Sequence, residues 1–271
     1  MFRRQKIQIK TAEQLELMRA AGLVVARTLE LLRSATVPGV STGELDQIAE
    51  EAIRAEGATP SFKGYQGFPA TICASVNDRV VHAIPSQKEV LHEGDLISID
   101  CGAIVEGWHG DSAITVPVGA VSPDLQTMIR VAEDSMWAGI AAAKPGGRLT
   151  DISHAIETSV RARGPYGIVE GYGGHGIGTE MHQEPHIHNH GRPGRGPRLA
   201  VGMALAIEPM ITWGSPEVVE LDDGWTVVTL DESFSVHVEH SMAICDDGVW
   251  VLTALDGGRK RLGDLVTSRQ R

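Results

Sequence analysis

Asp100 stands in the apolar run Asp95-Leu-Ile-Ser-Ile-Asp-Cys-Gly, where an ionised carboxylate is costly unless paired or bound to a cation. Asp111 follows in Trp108-His-Gly-Asp-Ser-Ala-Ile-Thr-Val, and Val105-Glu106-Gly107 between the two runs reads as the turn of a hairpin. A two-residue turn at 105–106 sets Asp111 opposite Asp100, and one at 106–107 sets it opposite Gly102. In both cases the two carboxylates project from one face. Like charges on a buried face repel unless a cation neutralises both, and a divalent metal is the simplest resolution. The plainer alternative makes Asp111, beside Gly110, a turn-flanking residue bonded to backbone.

The second half of the chain supplies further candidates. Glu208 ends the run Leu199-Ala-Val-Gly-Met-Ala-Leu-Ala-Ile-Glu, and Glu239 is the one acid in Val236-His-Val-Glu-His-Ser-Met-Ala-Ile, with no arginine close in sequence to either. Gly171-Tyr-Gly-Gly-His-Gly has the spacing of a dinucleotide-binding loop, but its continuation through Met181 and Pro185 lacks the helix such a loop requires. The glycines instead let backbone approach a ligand around His175. His175 and His182 are the better ligands of a cluster whose remaining members, His186, His188 and His190, read as solvated side chains in a polar stretch. Four carboxylates and one imidazole suit two divalent ions sharing bridging carboxylates, as in two-metal hydrolases with ions ~3.5–4 Å apart.

These residues need a frame, and the pattern predicts an α+β one. A capping box at Thr11 and Gln14 opens a helix with Met18, Ala21, Val25, Leu29 and Leu32 on one face, ending at Pro38-Gly39. A second helix runs from Ser41 to Gly57 over Leu45, Ile48, Ala52 and Ile53. Ser122-Pro123 opens a third, reaching Lys144, and a fourth spans about Thr150 to Gly164. Shifted by 107 places, Pro38, Gly39, Glu50, Arg54, Ala55 and Gly57 fall on Pro145, Gly146, Glu157, Arg161, Ala162 and Gly164, which suggests two related halves with a site between them. Leu199–Ile211, Trp225–Leu230, His237–Ile244 and Val249–Leu252 read as β-rich runs, and 191–198 reads as a loop.

Composition narrows the class. Of 271 residues, 42% are hydrophobic and 22% charged, which is globular and leaves room for one large domain. A net charge of −11 argues against nucleic acid as the main partner and against DNA in particular. Three cysteines without Cys-x-x-Cys spacing fit a reducing compartment. The longest apolar run falls far short of the ~20 residues of a membrane span. A cytoplasmic protein, with no membrane partner, is the expectation.

Asp100, Asp111, His175, Glu208 and Glu239 in this order, with Asn77-Asp-Arg-Val-Val-His82-Ala-Ile-Pro, Gly174-His-Gly-Ile-Gly, Ile207-Glu-Pro-Met and Val238-Glu-His, resemble the type I methionine aminopeptidases of the short bacterial form, from about Gln14 to Leu255. That resemblance implies the pita-bread fold, two related halves around a curved antiparallel sheet with helices on its outer face. The organisation it implies is an N-terminal segment over 1–10, one catalytic domain over 11–256 with halves about 11–121 and 122–256, and a basic tail over 257–271. It also implies a monomer that removes the initiator methionine from nascent proteins and peptides when the second residue is small. The metal ligands would be Asp100, Asp111, His175, Glu208 and Glu239, holding two divalent ions (Co, Mn, Fe or Zn) whose shared water attacks the scissile carbonyl. Glu208 would handle the proton of that water, His182 would polarise the carbonyl, and His82 would contact the scissile amide. Tyr65, Phe68, Cys73 and Trp225 would line the methionine pocket, with Met181 and Phe62 departing from the common pattern. Asn77 and Ser235 match positions that hold a monovalent cation in some relatives.

A proline-specific relative of the same fold, a prolidase or aminopeptidase P, is the nearest alternative, and an inert binding module of that fold is another; all five ligand positions are filled. Basic residues gather at the edges: Arg3, Arg4 and Lys6; Arg192, Arg195 and Arg198; Arg259, Lys260, Arg261, Arg269 and Arg271. They read as solvated, with a weak ribosomal RNA contact as the sharper expectation.

Overall fold

Helix starts follow from side chains that satisfy the first free N–H groups. In the computed structural model, which describes residues 6–268, Thr11 Oγ1 accepts the Gln14 N–H while the Gln14 side chain accepts that of Thr11, opening α1 (Ala12–Ala35). Ser41 and Glu44 repeat the device for α2 (Thr42–Ala55). Ser122 caps α3 (Pro123–Ala142), and Asp151 accepts the Arg148 N–H at the start of α4 (Leu149–Arg161). α3 stops two residues short of Lys144. In α2 the fully covered stripe is Leu45, Ala49 and Ile53, with Ile48 and Ala52 half-buried at its margin.

The first half carries β1 (Thr59–Pro60), β2 (Ile72–Val76), β3 (Arg79–Val81) and the long hairpin β4 (Leu96–Val105) and β5 (Trp108–Pro117). The second carries β6 (Gly167–Ile168), β7 (Gly174–Gly176), β8 (Gln183–Ile187), β9 (Ala204–Ile207), β10 (Met210–Thr212), β11 (Val218–Glu220), β12 (Val227–Thr229), β13 (Ser235–His237), β14 (His240–Cys245) and β15 (Gly248–Val251). Their ladders are antiparallel and fall into four groups: β1-β4-β2 with β5 on β4, β13-β10-β6, β11-β12-β3, and β15-β14-β9-β7-β8.

Two apolar clusters sit between helices and strands. One joins Val25, Leu29, Leu45 and Ile53 to Ile72, Ile97, Ile99 and Val116. The other joins Met128, Ile140, Ile152 and Ile156 to Leu205, Ile207, Met242 and Ile244. Gly110 allows α1 to lie directly on β5, since a Cβ there would stand 2.6 Å from the Gly22 nitrogen, while Gly22 makes room for the Leu252 carbonyl. Arg19, buried on α1, ties the helix to the second half by donating to the carbonyls of Val251, Leu252, Ala254 and Leu255. Past residue 257, a helical turn, α5 (Arg259–Leu262), leads to Val266, which bridges Val249.

Three expected β-rich runs are shorter than the hydrophobicity suggests. Leu199–Met203 run irregularly around a turn at Val201-Gly202, and Pro209, which has no N–H to donate, parts β9 from β10. The run His237–Ile244 breaks at Val238-Glu239, because Glu239 pairs with Ala113 of the first half (N–H to O 2.9 Å, and 3.3 Å in return). Trp225–Leu230 contracts to β12. Of the basic edges, Arg3, Arg4, Arg269 and Arg271 lie outside the described residues. Arg192, Arg195 and Arg198 are exposed, and Arg261 pairs with Glu133 and Asp134.

Candidate metal centre

The turn decides how the first two carboxylates meet. Glu106 (φ 48°) and Gly107 (φ 80°) are both left-handed, the two-residue turn whose twist matches a hairpin, so Asp111 lies opposite Gly102 and Asp100 opposite Ala113. Both acids therefore share one face, and their carboxyl groups are within hydrogen-bonding reach of each other. His175 projects from β7, which pairs with β9; Glu208 follows β9 directly. Glu239 sits in the break between β13 and β14, held by its backbone pairing to Ala113 and by the Ser112 hydroxyl, which donates to its carbonyl (2.5 Å). Ser241 clamps Asp111 from the other half: its Oγ donates to the Asp111 carbonyl (2.7 Å) and accepts the Asp111 N–H (3.2 Å).

Donor atoms of Asp111, His175 and Glu239 lie within 4.8 Å of one another, as do those of Glu208, His237 and Glu239. Glu239 is common to both sets. Asp100 Oδ1, Asp111 Oδ1 and Glu239 Oε1 are buried without a hydrogen-bond partner among the described residues, a state that nearly all native buried polar atoms avoid. Burial pushes Asp100 up to about 7. Burial, and then the charges of Asp100 and Glu208, drive Asp111 well above its ordinary value; burial does the same to Glu208 and, helped by Asp111, to Glu239. Four acids forced together in this way could hold a divalent cation, whose charge would reverse the penalty. His175 could serve the same cation. Burial holds it neutral, down at about 3, and its Nδ1 donates to the Gly176 carbonyl (3.0 Å), with Nε2 3.4 Å from Glu208 Oε1.

The five candidate ligands line one cavity of about 240 Å³ together with His82, His182, Tyr65, Phe68, Cys73, Met181 and Trp225. Cys73 faces Asp100 across the β2–β4 ladder, and burial with the nearby Asp100 and Asp111 keeps its thiol protonated. Phe68 and Trp225 meet edge to face, 5.1 Å between centroids. His182 stands 4.4 Å from the His175 ring, its Nδ1 3.0 Å from the Tyr65 hydroxyl. Burial lowers His82 to about 4.

Residues 16–246 match the model of metallopeptidase family M24. Over 255 residues the chain is 55% identical to methionine aminopeptidase 1 of Mycobacterium tuberculosis, covering 92% of this chain and 96% of that one. The chain belongs to metallopeptidase family M24, among its methionine aminopeptidases. It is 51% identical to the methionine aminopeptidase of Clostridium acetobutylicum, across 91% of this chain and 98% of the relative. The crystal structure of the methionine aminopeptidase of Thermotoga maritima matches with a TM-score of 0.90 at 40% identity, covering 92% of this chain and 99% of that one. The fold is accordingly the pita-bread fold of M24 hydrolases, with helices outside antiparallel sheets and the acidic cluster between the halves.

Within this methionine aminopeptidase frame, two partners of the cluster went unseen in the sequence. His237 points its Nε2 to within 3.4 Å of Glu208 Oε2, and Asn189 donates to the Glu208 carbonyl (3.0 Å). The signal for His237 was present: it stands two residues before Glu239, and alternate residues of a strand share a face. Asn189 had no such signal. Ser235 N–H donates to the Asn77 carbonyl at 2.8 Å, and its hydroxyl reaches the carbonyls of Asn77 and Arg79.

Proposed function

We propose that this protein removes the initiator methionine from nascent polypeptides and peptides whose second residue is small. The observation that carries the reading is that the orphaned carboxylates open into the same cavity as the apolar Tyr65, Phe68, Cys73, Met181 and Trp225. Asp100, Asp111, His175, Glu208 and Glu239 would hold the two ions. Divalent Co, Mn, Fe or Zn ions there would acidify a water and polarise the scissile carbonyl.

The rest is the work of this chain's own groups. Glu208 takes a proton from the attacking water and returns one to the departing amine as the C–N bond breaks. His182, held by Tyr65, donates to the carbonyl oxygen, and His82, kept neutral by burial, meets the scissile amide. The pocket's rings and the protonated Cys73 thiol suit a flexible thioether. A monovalent cation at the Asn77 and Ser235 backbone belongs to the same reading. So do a monomeric state, a cytoplasmic location and a weak ribosome contact through Arg192, Arg195 and Arg198; no described helix is long and apolar enough to cross a membrane.

Met-Ala-Ser and Met-Lys-Ser, assayed for released methionine under each metal, test the specificity. Cleavage of the first and little of the second is expected; equal rates overturn it. Ribosome co-sedimentation at low salt should fall when the three arginines become alanine, and unchanged pelleting removes them from the contact.

A further inference from the structure

Three histidines outside the catalytic cluster stand where imidazoles are free to bind. β8 is the edge of its sheet, pairing only with β7. Pro185 and Ile187 face inward, so the alternate positions Glu184, His186 and His188 face solvent. The His186 and His188 rings are 4.6 Å apart between centroids, and His190 lies 5.8 Å beyond His188. None of the three imidazoles makes a hydrogen bond among the described residues, while their neighbours Ile187 and Asn189 are buried and fix the backbone beneath them. Imidazoles one residue apart on an extended, anchored strand can converge on one ion. Their donors are not drawn together as those of Asp111, His175 and Glu239 are, but exposed side chains reorient in nanoseconds.

The chemistry of this face differs from that of the buried centre. The centre offers mainly carboxylate oxygens, which accept Mn²⁺ as well as softer ions. The β8 face offers nitrogen donors, which select the borderline ions Zn²⁺, Ni²⁺ and Cu²⁺ over Mn²⁺. We propose that His186 and His188, with His190 as a third donor, form a second metal site on the surface, taking Zn²⁺, Ni²⁺ or Cu²⁺; His186 also borders the cleft that leads to His175, His182 and Glu208, so the site neighbours the buried carboxylates while using none of them.

Metal-stripped protein without an affinity tag is titrated with Mn²⁺ and with Ni²⁺, and bound metal is counted by elemental analysis after equilibrium dialysis. One more equivalent of Ni²⁺ than of Mn²⁺ is expected. The double variant His186→Ala/His188→Ala loses that equivalent and keeps its Mn²⁺ loading and melting temperature, and each single variant weakens the extra site about tenfold or more. With Cu²⁺, the spin-resonance spectrum shows, beyond the signal of the buried centre, a component coupled to at least two imidazole nitrogens, and the double variant loses that component. Equal Ni²⁺ and Mn²⁺ stoichiometry, an extra equivalent that survives the double substitution, or a loss that takes Mn²⁺ loading with it would overturn the site.

Discussion

Removing metal from this protein should make its stability fall as pH rises from 4 to 7. An aspartate in an unfolded chain titrates near pH 3.9; Asp100 in the folded chain is pushed up to about 7 by burial. Below pH ~4 both states hold the proton and folding is indifferent to it. Between the two values the unfolded chain ionises and the folded chain does not, so each pH unit costs the folded state about 1.4 kcal/mol. Three such units amount to about 4 kcal/mol, fully lost above pH ~7. At about 2–4 °C per kcal/mol for chains near this size, the apoprotein's melting temperature should drop by roughly 10 °C. The raised Asp111, Glu208 and Glu239 act in the same direction. Ions in the site replace the protons and hold the carboxylates charged, so the loaded protein should lack this decline, and loading should release protons most strongly below pH 7. Calorimetric melts of chelator-treated and Mn²⁺-loaded protein at pH 4.5, 6 and 7.5 measure the difference, and Asp100→Asn should lessen the apoprotein's slope, leaving the part that Asp111, Glu208 and Glu239 contribute. An apoprotein whose melting temperature is flat or rising over this range refutes the reasoning.

Other changes separate the parts of the site. Asp111→Asn should lose both metal and activity, whereas His182→Ala should keep its metal and lose ~10²–10³-fold in kcat; elemental analysis beside a methionine-release assay distinguishes them. Gly110→Ala presses a methyl group onto the backbone of α1 and should cost about 1–3 kcal/mol while weakening metal loading through the adjacent Asp111; an unchanged melt and unchanged loading would mean that α1 and β5 part freely. Arg19→Met leaves the Val251, Leu252, Ala254 and Leu255 carbonyls without their guanidinium and should cost about 3 kcal/mol in urea unfolding.

Local signals carried much of this architecture. Capping boxes at Thr11 and Ser41 and the stripe Met18 to Leu32 depend only on neighbours in sequence, and the helices start where those residues place them. The face shared by Asp100 and Asp111 was legible because strand alternation is local, but which residue stood opposite Asp111 hung on one backbone choice, the left-handed turn at Glu106-Gly107. Hydrophobicity alone overextended the strands, since it records burial and not hydrogen-bond partners: Leu199–Met203 are mostly buried without belonging to a strand. The clamp between Ser241 and Asp111 joins positions 130 residues apart, and no periodicity within either segment reports such a pairing.

The pairing of Glu239 with Ala113 also sets a timetable. Asp100 and Asp111 leave the ribosome early, on a hairpin that can close by itself; His175 and Glu208 follow, and Glu239, common to both donor sets, emerges last and must return to a strand made more than a hundred residues before. A chain still in synthesis therefore presents two crowded acids before Glu239 is made, and the set of donors is complete only once that residue has emerged. Slowing elongation between residues 111 and 239 would prolong that exposed interval without changing a single contact of the finished enzyme.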